Sequence, residues 1–217
     1  MNEYLKITNE CNLDLMARYE DNYFDLAIVD PPYGINMAMG HKGSEKRGDK
    51  NKYKNFAGND SLIPKKQYWD ELFRVSKNQI VWGGNYMIEF LKPTPCFIVW
   101  DKVQPENFSM AMAEFAWTSF DSPAKIFKKR IVGADTERIH PTQKPTSLYQ
   151  WLLTKYAEKG NKILDTHLGS GSIAIAVDSV NKIEKLELEL VACELDKNYY
   201  EQAKARIQRQ TNWNSLF

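Results

Sequence analysis

Asp30-Pro31-Pro32-Tyr33-Gly34 directly follows a continuous apolar run, Leu26-Ala-Ile-Val29. Neither proline carries a backbone N–H, so the Pro31 carbonyl faces outward without competition from a strand ladder. The segment is also stiff and extended. Asp30 to Tyr33 therefore present two acceptors, the Asp30 carboxylate and the Pro31 carbonyl, beside one aromatic face, Tyr33. That set is complementary to a flat ring bearing an exocyclic amine, which has two N–H donors. An aryl amine is a weak nucleophile because its lone pair is delocalised into the ring. Acceptors that hold both protons favour a pyramidal nitrogen and stabilise the positive charge that develops on it during alkylation. Tyr33 would offer a stacking surface to a base taken out of its helix.

A second constellation is Asp165-Thr166-His167-Leu168-Gly169-Ser170-Gly171-Ser172-Ile173-Ala174. Gly169 and Gly171 allow a tight turn and a close backbone approach to a ligand, and Ala174 completes a GxGxxA spacing. Glu194 ends the next apolar run, where a carboxylate can accept both hydroxyls of a ribose. Together they point to a nucleoside-containing cofactor without saying which one. A third is His140-Pro-Thr142-Gln-Lys144-Pro145. Pro145 suits a first helical turn, whose free N–H groups attract an anion such as a cofactor carboxylate.

The elements that must carry these residues alternate between strand and helix patterns. Residues 5–8, 26–29, 79–82, 96–100, 112–120, 162–164 and 188–193 read as strands, several as continuous apolar runs of the kind buried on both faces. Helices are expected from Pro145 to Gly160 with Leu148, Trp151, Leu152 and Tyr156 on one face, over residues 172–180, and after Asp196 as a cap with Tyr200, Ala203 and Ile207 inward. Strands alternating with helices predict an α/β fold with a mostly parallel sheet covered on both faces. At 217 residues and 43% hydrophobic content, one domain over 1–217 is expected.

The net charge is +1, so the whole-chain charge says nothing about partners, but its distribution does. Residues 35–59 hold six cations (Lys42, Lys46, Arg47, Lys50, Lys52, Lys54) against two anions, and residues 121–139 hold five, among them Lys128, Lys129 and Arg130, against three. Both segments lack a regular pattern, and connections beyond ~12–15 residues are usually functional or disordered. Positive charge gathered in two loops of a near-neutral chain suits a polyanion. Cys11, Cys96 and Cys193 fit neither a disulfide framework nor a metal motif, so no metal is expected. No apolar run approaches the ~18 residues of a membrane span; neither a membrane partner nor a location other than the cytoplasm is expected.

In their order along the chain, Asp30–Tyr33, His140–Pro145 and Asp165–Ser172 resemble the DNA amino-methyltransferases of restriction-modification systems and phages. The likeness is to the permuted class, in which the catalytic motif precedes the cofactor motif. Trp82-Gly-Gly-Asn85, Trp100-Asp-Lys102 and Glu114-Phe-Ala-Trp117 extend it over nearly the whole chain. The resemblance implies a Rossmann-like, S-adenosylmethionine-dependent methyltransferase fold: a seven-stranded, mostly parallel sheet whose last strand is antiparallel. It implies that Asp165, Gly169, Gly171, Ser172 and Glu194 hold S-adenosylmethionine together with Thr142 and Lys144, and that Asp30, Pro31, Pro32 and Tyr33 hold the target base. An Asp at the head of the tetrapeptide is, in that family, mainly a mark of adenine enzymes.

The sequence departs from the family in three places. His167 stands where Phe is usual, with Thr166 in place of Pro; it is placed among the cofactor-binding residues, either contacting the cofactor or simply substituting one ring for another, the latter being expected. Cys11 or Asn12 occupies the place of an Asp near the cofactor adenine. Residues 119–139 are short for a target-recognition segment, which leaves a short site, a homodimer or a partner that lends specificity. The resulting expectation is transfer of a methyl group to the adenine N6 amine of double-stranded DNA in a bacterial or phage-infected cell, without a covalent enzyme intermediate. The cytosine N4 amine, with the same two N–H donors, is the alternative. An RNA base or a protein amide as acceptor, a non-catalytic nucleic-acid-binding subunit of the same fold, and a nicotinamide dehydrogenase suggested by the glycine loop alone also stay open.

Overall fold

The computed structural model of the protein describes residues 2–35, 62–107, 111–130, 137–140 and 142–213. Strand β2 (Phe24–Val29) is its central element. Leu26, Ala27, Ile28 and Val29 are each exposed by 1% or less. Side chains alternate across a strand, so Leu26 and Ile28 enter one apolar cluster and Ala27 and Val29 the other, which Phe24 at the start of the strand also joins. A strand that is apolar on both faces must be covered on both. On the first face lie α3 (Thr146–Tyr156), α4 (Ser172–Ile183) and α5 (Lys197–Trp213). On the second lie α1 (Asn12–Met16) and α2 (Lys66–Val75).

Around β2 the sheet is completed by β1 (Leu5–Thr8), β3 (Ser76–Trp82), β4 (Phe97–Asp101), β5 (Ala113–Thr118), β6 (Lys125–Lys128), β7 (Lys162–Asp165) and β8 (Glu189–Cys193). The order is β1-β8-β7-β2-β3-β5-β4-β6. β5 runs antiparallel to both of its neighbours, β3 and β4, and the other pairs are parallel. The mostly parallel α/β sheet expected from the sequence is present, with corrections. Eight strands are described instead of seven. The antiparallel strand is the fifth along the chain and lies inside the sheet.

The additional strand, β6, falls within the segment 121–139 that reads as patternless. It is four residues long, too short for its alternation to register, and it forms by pairing with β4 while Phe127 packs 5.5 Å from the Trp151 ring. Helix α2 is likewise not expected from the sequence. Its buried residues Tyr68, Trp69, Leu72 and Val75 have helical spacing, but the helix passes straight into β3 without a stop signal.

Asp196 does cap α5: its Oδ1 accepts the N–H groups of Asn198 (2.7 Å) and Tyr199 (3.1 Å). Among the described residues, no helix is long and apolar enough to cross a membrane. The six loop cations from Lys42 to Lys54 lie outside the described residues.

The topology decides where a site can form. From β7 the chain crosses through α4 to β8 on one side, while from β2 it crosses through α2 to β3 on the other. Such a reversal opens a crevice at the carboxyl ends of the two strands. β2 and β7 are neighbours in the register Ala27↔Leu164. Asp30, one residue beyond β2, and Asp165, the last residue of β7, therefore leave the same edge side by side.

Candidate active site

Tyr33 hydroxyl donates to Asp30 Oδ1 at 2.5 Å, and the Lys144 ammonium donates to Asp30 Oδ2. Each carboxylate oxygen has two lone pairs, so both keep the capacity to accept a further donor. Lys144 also donates to the Tyr33 hydroxyl at 3.2 Å and pairs with Glu114 at 3.3 Å. Its side chain is 2% exposed and lies over the Trp82 ring, 5.2 Å from the centroid. Burial pushes the Asp30 carboxyl above the ordinary range; Lys144 pulls it back and Glu114 pushes it further. Burial likewise drives the Tyr33 phenol far up, with Asp30 adding to it, so Tyr33 remains a donor.

Tyr33 is positioned from beneath and from the side. Gly83, at φ +68°, carries no Cβ, and one placed there would lie 2.2 Å from the Tyr33 ring. Tyr86 stacks on Tyr33 at 5.3 Å between centroids and 18° between planes. The ring thus has a partner already, and its hydroxyl orients Asp30, a role that the stacking argument from sequence does not contain. Pro31 is buried and Pro32 half-buried beside it.

The glycine loop occupies the adjoining part of the edge. Asp165 is 2% exposed, and its Oδ1 accepts the His167 N–H at 2.9 Å. Burial raises its carboxyl to about 8, with the His167 N–H pulling down and the charge of Asp30 pushing up. Among the described residues, a Cβ on Gly169 would meet nothing nearer than 3.8 Å, which leaves room for a ligand at this backbone. Gly171 is different. At φ +75° it caps α4, and a Cβ there would lie 2.7 Å from Ile207 Cδ1; this glycine serves the packing of α5.

Glu194 reaches the loop from the end of β8. One of its carboxylate oxygens accepts the Gly169 N–H and the other the Asp196 N–H, both at 2.9 Å. Ser172 Oγ lies 3.1 Å from Ser170 Oγ.

His167 is the residue expected to substitute one ring for another. It meets the Tyr68 ring edge-on at 5.4 Å, and its two nitrogens contact Asn12 Nδ2 (3.1 Å) and Thr166 Oγ1 (2.9 Å). Burial depresses its pKa to about 3, so it is neutral. Cys11 precedes α1 with its Sγ on Asn12 Oδ1 at 3.8 Å. Thr142 is exposed and its hydroxyl contacts His140 Nδ1 at 3.0 Å. The His140 ring lies against the open side of Gly169, about 4.0 Å from where its Cβ would be.

The sequence-derived residues thus gather at one edge in two groups, Asp30 to Tyr33 with Lys144, and Asp165 to Ser172 with Glu194, Asn12, Cys11 and Thr142. Lys144, expected in the cofactor group, contacts Asp30, Tyr33 and Glu114.

Lys128, Lys129 and Arg130 lie at the same edge, because Asp101↔Lys128 is the last pair of the parallel β4–β6 ladder. Lys128 and Arg130 are exposed, and Lys129 is half-buried with its carbonyl on Trp100 Nε1 at 2.9 Å. No individual role for Glu114, Lys102, Tyr68 or Arg206 is expected from the sequence. Tyr68 donates or accepts at Thr166 Oγ1 (2.7 Å). Arg206 is fully buried under the loop and donates to the Ser170 carbonyl at 2.8 Å. In sequence it is one cation in a polar helix, and nothing sets it apart.

Comparison with known proteins places this geometry. Residues 94–205, just over half of the chain, match the N6/N4-type family model described as DNA methylase. Type II methyltransferase M.HpaI of Haemophilus parainfluenzae is 23% identical over 91% of this chain and 72% of its own. Type II methyltransferase M2.MboI of Moraxella bovis is 26% identical over 87% and 84%.

Among solved structures, the M1.HpyAVI–SAM complex superposes with a TM-score of 0.59 at 16% identity, covering 93% of this chain and 99% of that one. A DNA modification methylase of Thermus thermophilus, TTHA0409, complexed with S-adenosyl-L-methionine, gives 0.58 at 14%, covering 95% and 94%. PvuII DNA methyltransferase, described as cytosine-N4-specific, gives 0.58 at 9%, covering 96% and 93%. These structures share the fold, and the match over residues 94–205 shows the family: this chain belongs to the N6/N4 DNA methylases.

Proposed function

We propose that the protein transfers a methyl group from S-adenosylmethionine to the N6 amine of an adenine in double-stranded DNA. The observation that carries this reading is the Asp30 carboxylate, held by Tyr33 and Lys144 at the sheet edge it shares with the glycine loop.

The residues present fit the cofactor. The open Gly169 backbone admits it, Glu194 is oriented to accept ribose hydroxyls, and Asn12 at the start of α1 contacts His167 of the loop. Asp165, Gly171, Ser172, Thr142 and Cys11 complete the proposed binding edge. Bound there, S-adenosylmethionine supplies an electrophilic methyl group on a sulfonium.

The chain's own contribution is positioning and charge. Asp30 and the Pro31 carbonyl accept the two N–H donors of the amine, which localises its lone pair. As positive charge grows on nitrogen, the Asp30 carboxylate stabilises it, and Tyr33 and Lys144 keep that carboxylate in place. No side chain need act as a nucleophile: the methyl group would leave the sulfonium, giving a neutral thioether, as it bonds to nitrogen, and the nitrogen would then lose one proton. Lys128, Lys129 and Arg130 are proposed to meet DNA phosphates at the rim, as are Lys42, Lys46, Arg47, Lys50, Lys52 and Lys54 of the basic segment.

Adenine is favoured by Asp at position 30, following the family resemblance. Expression in a host without DNA methylation, followed by mass spectrometry of its nucleosides, tests both claims. N6-methyladenine is expected in wild type and absent from Asp30→Ala. N4-methylcytosine would replace adenine with cytosine in this reading, and methylation by Asp30→Ala would remove the catalytic assignment.

A further inference from the structure

A line of four buried or half-buried charges crosses the catalytic group: Asp30, Lys144, Glu114 and Lys102. Glu114 is on β5, paired in register with Trp100 of β4, and Lys102 follows the end of β4. Lys102 Nζ lies 2.7 Å from Glu114 Oε1, and Lys144 Nζ lies 3.3 Å from Glu114 Oε2. The two lysine side chains are 6% and 2% exposed and the Glu114 side chain is 26% exposed. Each ammonium also sits over an indole, Lys102 at 5.3 Å from Trp100 and Lys144 at 5.2 Å from Trp82. Such an enclosure strengthens every charge–charge interaction within it and makes an unpaired member costly.

The arrangement creates a conflict. Lys144 orients Asp30, yet an ammonium bound only to Asp30 would neutralise it and weaken it as an acceptor for an amine that is becoming positive. Glu114 resolves the conflict because it is a second carboxylate within reach of the same ammonium. We infer that Glu114 is a positioning residue for Asp30: anchored by Lys102, it shares Lys144, so that Lys144 aligns the Asp30 carboxylate while leaving it negative. This inference rests on the catalytic reading of Asp30 above and adds to it which residue sets the strength of that acceptor.

The other titratable groups facing Asp30 are Tyr33 in its own loop, Tyr68 on α2, Tyr149 on α3 and Asp165 on β7. The phenols stay neutral through the working range because burial raises all three. Asp165, raised to about 8, stays largely neutral over the acid limb.

The test is DNA methylation by the 217-residue protein as a function of pH, with kcat and KM taken from titrations of S-adenosylmethionine at saturating DNA. In Glu114→Gln the negative charge nearest the Asp30–Lys144 pair is gone and Lys144 closes on Asp30 alone. The expected result is a kcat lower by roughly ten- to a hundredfold and an acid limb displaced to lower pH by about one unit, with the KM for S-adenosylmethionine unchanged. In Lys102→Met, Glu114 draws more of Lys144 and the acid limb moves the other way, to higher pH; this variant decides the matter if Glu114→Gln does not fold. An unmoved acid limb in a folded variant overturns the inference, whether or not kcat falls, because general damage lowers kcat without moving the limb. Asp30→Ala is assayed alongside: turnover there would bring down the catalytic reading itself, whereas an inactive Asp30→Ala beside an unaltered Glu114→Gln brings down only the role of Glu114.

Discussion

The Lys144 ammonium and the Asp30 carboxylate, 114 residues apart in the chain, form an ion pair at the centre of the candidate site. Among the described residues, Lys144 is the one cation that contacts both Asp30 and Glu114. Replacing it with Met leaves Asp30 buried without a cation beside it. The Asp30 carboxyl then rises further, so the acid limb of kcat should move to higher pH, opposite to Glu114→Gln. Stability should fall by about 3–5 kcal/mol, as for other broken buried pairs. Chemical denaturation and a pH–rate profile of Lys144→Met check the two effects separately, and an acid limb like that of wild type would contradict the pairing.

Gly83→Ala puts a methyl group where the Tyr33 ring lies, 2.2 Å away, at a positive φ of 68°. Tyr33 must shift, and with it the hydrogen bond that aligns Asp30. Turnover should drop by about a hundredfold for a displacement near 1 Å, while calorimetry finds cofactor affinity little changed. Equal losses in both would mean that the damage spreads beyond Tyr33.

The two glycines of the loop should separate function from packing. Gly169→Ala adds a Cβ into open space at φ +54°, so the expected outcome is weaker cofactor binding with a strain cost of about 1 kcal/mol. Gly171→Ala meets Ile207 at 2.7 Å and should cost more, about 2–3 kcal/mol from strain and overpacking together. Thermal unfolding of the pair would show Gly171→Ala with the lower Tm; the reverse order would refute this division.

Asp165 makes stability depend on pH. The folded protein keeps its proton up to about pH 8, whereas in the unfolded chain it leaves near the ordinary 3.8. Across that window unfolding releases a proton, so this group lowers stability as pH rises, by up to about 1.4 kcal/mol per pH unit. Asp165→Asn removes the ionisation. Measured by urea unfolding, its stability relative to wild type should climb from about pH 4 to about pH 8 and level off above. A difference that stays constant over that range would show that Asp165 ionises normally.

Lys128 and Arg130 are exposed at the edge where the parallel strands end. Among the described residues, the ion pair of Lys128 is a marginal one, 4.0 Å from Asp101. If each meets one phosphate, replacing both by Ala should reduce the slope of log K against log salt by about 2. Fluorescence anisotropy with a short duplex at several salt concentrations reads this directly. A wild-type slope would place the DNA elsewhere.

Most of the sheet is legible in the sequence. Residues 26–29 are apolar on both sides of the pleat, a pattern that fits a central strand under helices on both faces. Prolines and glycines beyond the strand ends mark where the chain must turn and stay open. Asp30 to Tyr33 and Asp165 to Ser172 carry their chemistry in local order, because a stiff acceptor pair and a glycine turn are built from neighbours. The asymmetry of glycine use is not visible there: Gly169 faces open space and Gly171 faces Ile207 of α5, a contact made only when the last helix docks.

The charge line through Asp30, Lys144, Glu114 and Lys102 belongs to the tertiary structure. Its members come from the ends of β2 and β4, from β5 and from the entry to α3. They meet because β5 inserts antiparallel between β3 and β4 and brings Glu114 to the edge where the parallel strands end. Sequence spacing records only local geometry, whereas a buried ion pair depends on which distant strands become neighbours. By itself, then, the sequence determined which groups could grip an amine and a nucleoside. Only long-range strand pairing decided which charges stand behind them, and so how strongly Asp30 can act.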